Sequence, residues 1–164
     1  MTIKQSILKT LGFFDLFHYP LTAEEVMDYL YKNQKPIHIK EVKGILNELK
    51  TEEKVDQIHE YWFLKGRESN LETRKRNSLI SKGLWQKVHH YAGYMVHIPF
   101  IRMIAVCNTL AYENANAESD IDLFIVVKPK RLWTARLLIT GLLQFFGVRR
   151  HGAKVAGRFC LSFL

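Results

Sequence analysis

The sequence predicts an α+β chain of two small domains: residues 1–67 as three helices and a hairpin, 68–97 as a connecting helix or helices, and 98–164 as an α/β domain with a mixed sheet. Three observations carry this. Apolar residues recur at helical spacing through the first fifty positions, and two nearly unbroken Ile- and Val-rich runs follow residue 100. The chain has 164 residues and is 48% hydrophobic, which is enough apolar surface to offset the entropy of ordering.

The first helix is expected over 3–17, with Ile7, Leu8, Leu11, Phe14 and Phe17 on one stripe. His18-Tyr19-Pro20 ends it, because the residue before proline is pushed out of the helical region. Thr22 and Glu25 have the spacing of a capping box, in which hydroxyl and carboxylate satisfy orphan amides at a helix start. They open a second helix through Val26, Tyr29 and Leu30. A third helix starts near Ile39 and lines up Ile39, Val42, Leu46 and Leu49, while Lys40, Lys43, Asn47 and Lys50 fall on the adjacent face. Lys54 to Ile58 and Tyr61 to Leu64 flank His59-Glu60 as the arms of a hairpin. Three helices and a hairpin resemble the winged helix-turn-helix class, with Lys40, Lys43, Asn47 and Lys50 in the place of a recognition surface. Residues 1–67 carry no net charge, whereas readers of duplex phosphates usually show a basic footprint, so a protein-docking module stays open beside DNA binding.

Residues 68–96 have a helical pattern with Leu71, Leu79, Ile80, Leu84, Val88 and Tyr91 as apolar points and a break expected near Gly83. Arg74, Lys75 and Arg76 make a basic cluster that is either a nucleic-acid contact or a solvated face. His89, His90 and His97 lack the i, i+4 spacing that brings two imidazoles to one metal.

The chemistry is expected after residue 100. Ile101–Val106 and Ile121–Val127 have the composition of buried strands. A helix from Arg131 to Phe146 follows, with Leu132, Ala135, Leu138, Ile139, Leu142 and Leu143 toward the sheet and Gly147 as its C-terminal cap. Arg158 to Leu164 is a last strand. Cys107 and Cys160 are expected in buried strands, behaving as small hydrophobes without a disulfide. Side chains alternate along a strand, so Asp120 and Asp122 share a face about 6.6 Å apart along the chain. Two such carboxylates repel unless a cation sits between them. Mg²⁺ suits the position, because it takes few carboxylates and completes its octahedron with phosphate and water oxygens.

Here the sequence resembles the nucleotidyltransferase superfamily, the DNA polymerase beta-like fold. The residues carrying the resemblance are Ile104-Ala105-Val106, then Cys107-Asn108, and, with eleven residues between Asn108 and Asp120, the run Ser119-Asp120-Ile121-Asp122-Leu123. The resemblance covers about residues 95–164. Together with the winged-helix resemblance of residues 1–67, it implies an N-terminal winged helix followed by a truncated or minimal nucleotidyltransferase-type domain. The implied activity is Mg²⁺-dependent transfer of a nucleoside monophosphate from an NTP to an acceptor hydroxyl. Asp120 and Asp122 would be catalytic metal ligands, and Cys107, Asn108, Thr109, Ser119, Arg149, Arg150 and Lys154 would meet the nucleotide.

Two departures stand out. Cys107-Asn108 replaces the family's Gly-Ser pair, and the last strand has no acid where the family has a third carboxylate. Either the chain is a fragment of a longer enzyme, or it binds nucleotide without turnover. The alternative is therefore a non-catalytic DNA- or protein-binding winged-helix module fused to a nucleotide-sensing domain.

The formal charge is +8, and its surplus lies after residue 67, where it would attract the phosphates of an NTP or a nucleic acid; a protein acceptor stays open. No run of 18 apolar residues exists and no signal-peptide pattern opens the chain, so a cytoplasmic protein without membrane contact is expected.

Overall fold

Threonines set the first two helices. Thr2 accepts the Gln5 amide and Gln5 accepts the Thr2 amide, which starts α1 (Ile3–Asp15). Thr22 and Glu25 make the same reciprocal pair, as the sequence indicates, and start α2 (Ala23–Asp28). The computed structural model describes residues 2–32 and 36–163. Its contacts divide the chain into two units, 1–75 and 76–164.

In unit 1, α1 stops two residues earlier than predicted, and His18 takes φ 52° before Pro20. Phe17 is consequently exposed rather than on the core stripe. α2 ends at Asp28, with Tyr29 as an exposed cap, so Leu30 lies outside the helix. α3 (Ile39–Thr51) buries Val42, Leu46 and Leu49 at the predicted spacing. The first strand is a two-residue segment that the sequence reading missed. β1 (Leu21–Thr22) pairs antiparallel with β3 (Tyr61–Leu64), which pairs with β2 (Val55–Ile58) across His59-Glu60. Leu21 lies opposite Trp62 and both are buried, a cross-strand apolar pair of the kind that stabilises a short ladder.

α4 (Ser69–Met95) is one unbroken helix through Gly83, against the break expected there. Its first turns belong to unit 1 and the remainder to unit 2. Leu71 and Val88 are buried, but Leu79 is exposed.

In unit 2, β4 (Ile101–Val106) pairs antiparallel with β5 (Ile121–Val127), and β5 pairs parallel with β6 (Phe159–Phe163). The sheet is mixed, in the order β4-β5-β6. Ile121, Leu123 and Ile125 point into a core shared with Val88, Met95, Ile139, Leu143 and Phe159. The two apolar strands, which the sequence predicts to be buried, are covered on one face only: Met103, Phe124 and Val126 are exposed on the other. An apolar run cannot distinguish a two-sided from a one-sided strand, because alternation shows only when the outer residues are polar.

α5 (Asn108–Ala111) is a single turn in the crossover. α6 (Leu132–Phe145) packs Ala135, Ile139 and Leu143 inward, while Leu138, placed in that stripe by the sequence, is exposed. Gly147 ends it at φ 65°, with its amide on the Gln144 carbonyl and Val148 N on Leu143 O. This is the left-handed position where glycine carries no Cβ penalty. Among the described residues no helix is long and apolar enough to cross a membrane.

Candidate functional site

The loop that delivers the two aspartates is tied down from the helix beneath it. Asn77 on α4 donates to Asn114 Oδ1 at 2.8 Å, and Ser81, fully buried, accepts the Ala115 amide at 3.1 Å. Asn116 then folds the next turn: its Oδ1 accepts from Glu118 N and Ser119 Oγ, and its amide donates to Ser119 Oγ. The far side is held by backbone. Gly157 N donates to Ser119 O and Ile121 N to Arg158 O, both at 2.8 Å, and Lys87 on α4 donates to Gly157 O. Burial, followed by the neighbouring Arg158, lowers the Lys87 pKa.

Asp120 and Asp122 emerge from this frame on one side of β5, with Ile121 and Leu123 turned into the core. Cys160 stands opposite Asp122 in the parallel register of β5 and β6. Asp120, Asp122 and Cys160 each offer a ligand atom, and these atoms lie within 4.8 Å of one another. The group could hold a metal ion. The two carboxylates were expected together; the thiol was not.

Each ligand is positioned by a neighbour. Asn108 Nδ2 donates to Asp122 Oδ2 at 2.6 Å. Asn108 itself has φ 59°, a left-handed conformation that asparagine tolerates better than most side chains. Cys107 caps α5, just beyond β4, with its amide on Asp122 O at 3.1 Å. Cys107 and Cys160 are half-buried, not core residues, and neither is in a disulfide. Burial, then Asp122 and Cys160, pushes the Cys107 thiol pKa up.

Arg150 closes the group. Its Nη1 lies 2.6 Å from Asp120 Oδ2 and 3.9 Å from Cys160 Sγ. The bond to Asp120 raises the Arg150 pKa further. Beside it is a cavity of about 310 Å³ whose lining includes Arg136, Thr140, Arg149, Arg150, His151 and Cys160. Three guanidiniums around one cavity suit an oxyanion, since each offers a planar fork of donors. Arg136 and Thr140 were not identified from the sequence. Their signal was a basic and a hydroxyl residue one helical turn apart on α6, which a sheet-facing reading of that helix passes over.

The other predicted residues divide. Thr109 O accepts the Asn114 amide, so Thr109 helps to shape the loop. Ser119 is engaged with Asn116. Lys154 pairs by backbone with His151 on an exposed turn and does not line the cavity. In unit 1, Lys40, Asn47 and Lys50 are exposed on α3, and Lys43 is paired with Glu24 at 2.9 Å. Lys75 and Arg76 are exposed on α4.

Arg74 departs from its predicted place on a nucleic-acid surface. Its guanidinium makes two bonds to the Glu25 carboxylate, at 2.7 and 2.8 Å, and a third to Pro20 O. It stacks between Tyr19 and Tyr61, with ring centroids 4.1 and 4.5 Å away. Burial lowers its pKa, and the Glu25 bonds more than offset this. Arg74 is therefore a structural tie inside unit 1.

Comparison of the chain with protein-family models, curated proteins and solved structures gives no match.

Proposed function

We propose that residues 76–164 bind a nucleoside triphosphate with a divalent ion at Asp120 and Asp122, and that such a site serves transfer of a nucleoside monophosphate to an acceptor hydroxyl. The observation that carries this reading is the convergence of two carboxylates beside a cavity lined by Arg136, Arg149 and Arg150. The carboxylates suit Mg²⁺, which leaves most of its octahedron to phosphate and water oxygens. A bound Mg²⁺ would neutralise phosphate charge and align an in-line displacement. Asn108 fixes the Asp122 carboxylate, and the arginines receive the phosphates.

Cys160 favours a second reading of the same site. It occupies the strand position facing both aspartates, and a thiol is a poorer partner than a carboxylate for a hard ion or an acceptor proton. A domain that senses nucleotide without turning it over fits this. Unit 1, with three helices and an antiparallel sheet, would act as a winged-helix docking module for a nucleic acid or a protein. Exposed Lys40, Asn47 and Lys50 support the former and its neutral net charge the latter.

Anisotropy of four labelled NTPs, with and without a chelator, tests binding. Metal-dependent binding of at least one is expected, and none binding would remove the proposal. Labelled nucleotide transferred to a hydroxyl acceptor would decide for catalysis over sensing.

A further inference from the structure

We infer that Asp120, Asp122 and Cys160 form a site for a thiophilic divalent ion of the Zn²⁺ or Co²⁺ class, held by two carboxylates and one thiolate. This rests on the reading that the two aspartates are metal ligands, and goes beyond it in the identity of the metal.

The donor set is the first argument. Carboxylate oxygens accept almost any divalent ion, so they do not choose between metals; a sulfur ligand does. Zn²⁺ lies about 2.3 Å from thiolate sulfur and about 2.0 to 2.2 Å from carboxylate oxygen, so two ligands of one ion are at most about 4.5 Å apart. The three ligand atoms here lie within 4.8 Å of one another. Small side-chain rotations close the remainder. The pairing of Cys160 with Asp122 across β5 and β6 means that the backbone, rather than a loop, sets this approach.

The second argument is independent of the ligands. A positive group already bridges the two strands at this point: Arg150 Nη1 touches Asp120 Oδ2 at 2.6 Å and lies 3.9 Å from Cys160 Sγ. The centre calls for a cation, and Arg150 supplies one from an exposed side chain that can turn away. An incoming ion takes over Asp120 and forms a bond to Cys160 sulfur, whose proton passes to solvent. Arg150 is then released toward the cavity it already lines with Arg136 and Arg149. Metal binding would thereby complete the anion-binding wall.

Three ligands from the chain leave at least one coordination position for water or a phosphate oxygen, the arrangement of an open rather than a structural zinc site. The ion and a nucleotide can therefore occupy the site together.

The test is titration of the whole chain with Co²⁺, following the thiolate-to-cobalt charge-transfer band. The band is expected in the unaltered protein and in Cys107→Ser, and excess Mg²⁺ should not remove it. Cys160→Ser should lose the band and bind Co²⁺ at least tenfold more weakly, with an unchanged circular dichroism spectrum. A band that is absent from the unaltered protein, or that survives in Cys160→Ser, would overturn the assignment. Mg²⁺-dependent nucleotide binding without any band would sink this inference and leave the proposed function standing. A band without nucleotide binding of any kind would do the reverse.

Discussion

Arg150 and Asp120 are bonded at 2.6 Å across the end of the β5–β6 pairing, and they differ sharply in surroundings: the arginine side chain is 46% exposed and the aspartate 17%. The carboxylate is fixed, while its partner is free to leave. On the proposed reading, metal binding would compete with this internal cation, and nucleotide binding would recruit it.

Arg150→Ala should separate these effects. Metal affinity in the absence of nucleotide should rise by about two- to fivefold, the scale of an exposed ion pair. Nucleotide affinity should fall in the same variant. Parallel loss of both, measured by calorimetry, would mean that Arg150 does not occupy the metal position.

Arg74→Ala should destabilise unit 1 by about 3 kcal/mol, because it strands the Glu25 carboxylate and opens the stack between Tyr19 and Tyr61. Arg74→Lys should recover little, since an ammonium can neither make the two-pronged bond nor stack as a plane. Urea unfolding measures both. A lysine variant as stable as the parent would refute the structural role.

Ser81→Ala should cost about 1 to 3 kcal/mol by leaving the buried Ala115 amide unpaired. Metal affinity should weaken with it although Ser81 touches no ligand, because the loop carrying Asp120 hangs from that bond. Equal metal affinity in a destabilised variant would show that the loop keeps its shape unaided.

The Cys107 thiol, raised above its ordinary pKa by burial and then by Asp122 and Cys160, should alkylate slowly near neutral pH. Its rate should climb only in clearly alkaline solution, as thiolate forms. Mass spectrometry of Cys160→Ser, where Cys107 is the one remaining cysteine, reads this directly. Rapid labelling at neutral pH would contradict the burial.

The legible parts of this chain were those governed by neighbours in sequence. Thr22 and Glu25 cap one helix and Gly147 ends another because caps need residues only three or four positions apart. Asp120 and Asp122 share a face because strand alternation is local. The rest depended on partners distant in sequence. Arg74 reads as one cation in a run of three until Glu25, Tyr19 and Tyr61 enclose it. β1 is too short to carry a pattern and exists because Leu21 meets Trp62. Cys160 looked like a core residue, and only the parallel register with β5 brings it to the aspartates.

The most direct measurement is calorimetric titration of Mg²⁺ and an NTP into the chain and into Asp122→Ala. Binding that needs the metal and vanishes in the variant is the predicted result. Equal affinity in both proteins would mean that the nucleotide, if bound at all, sits elsewhere.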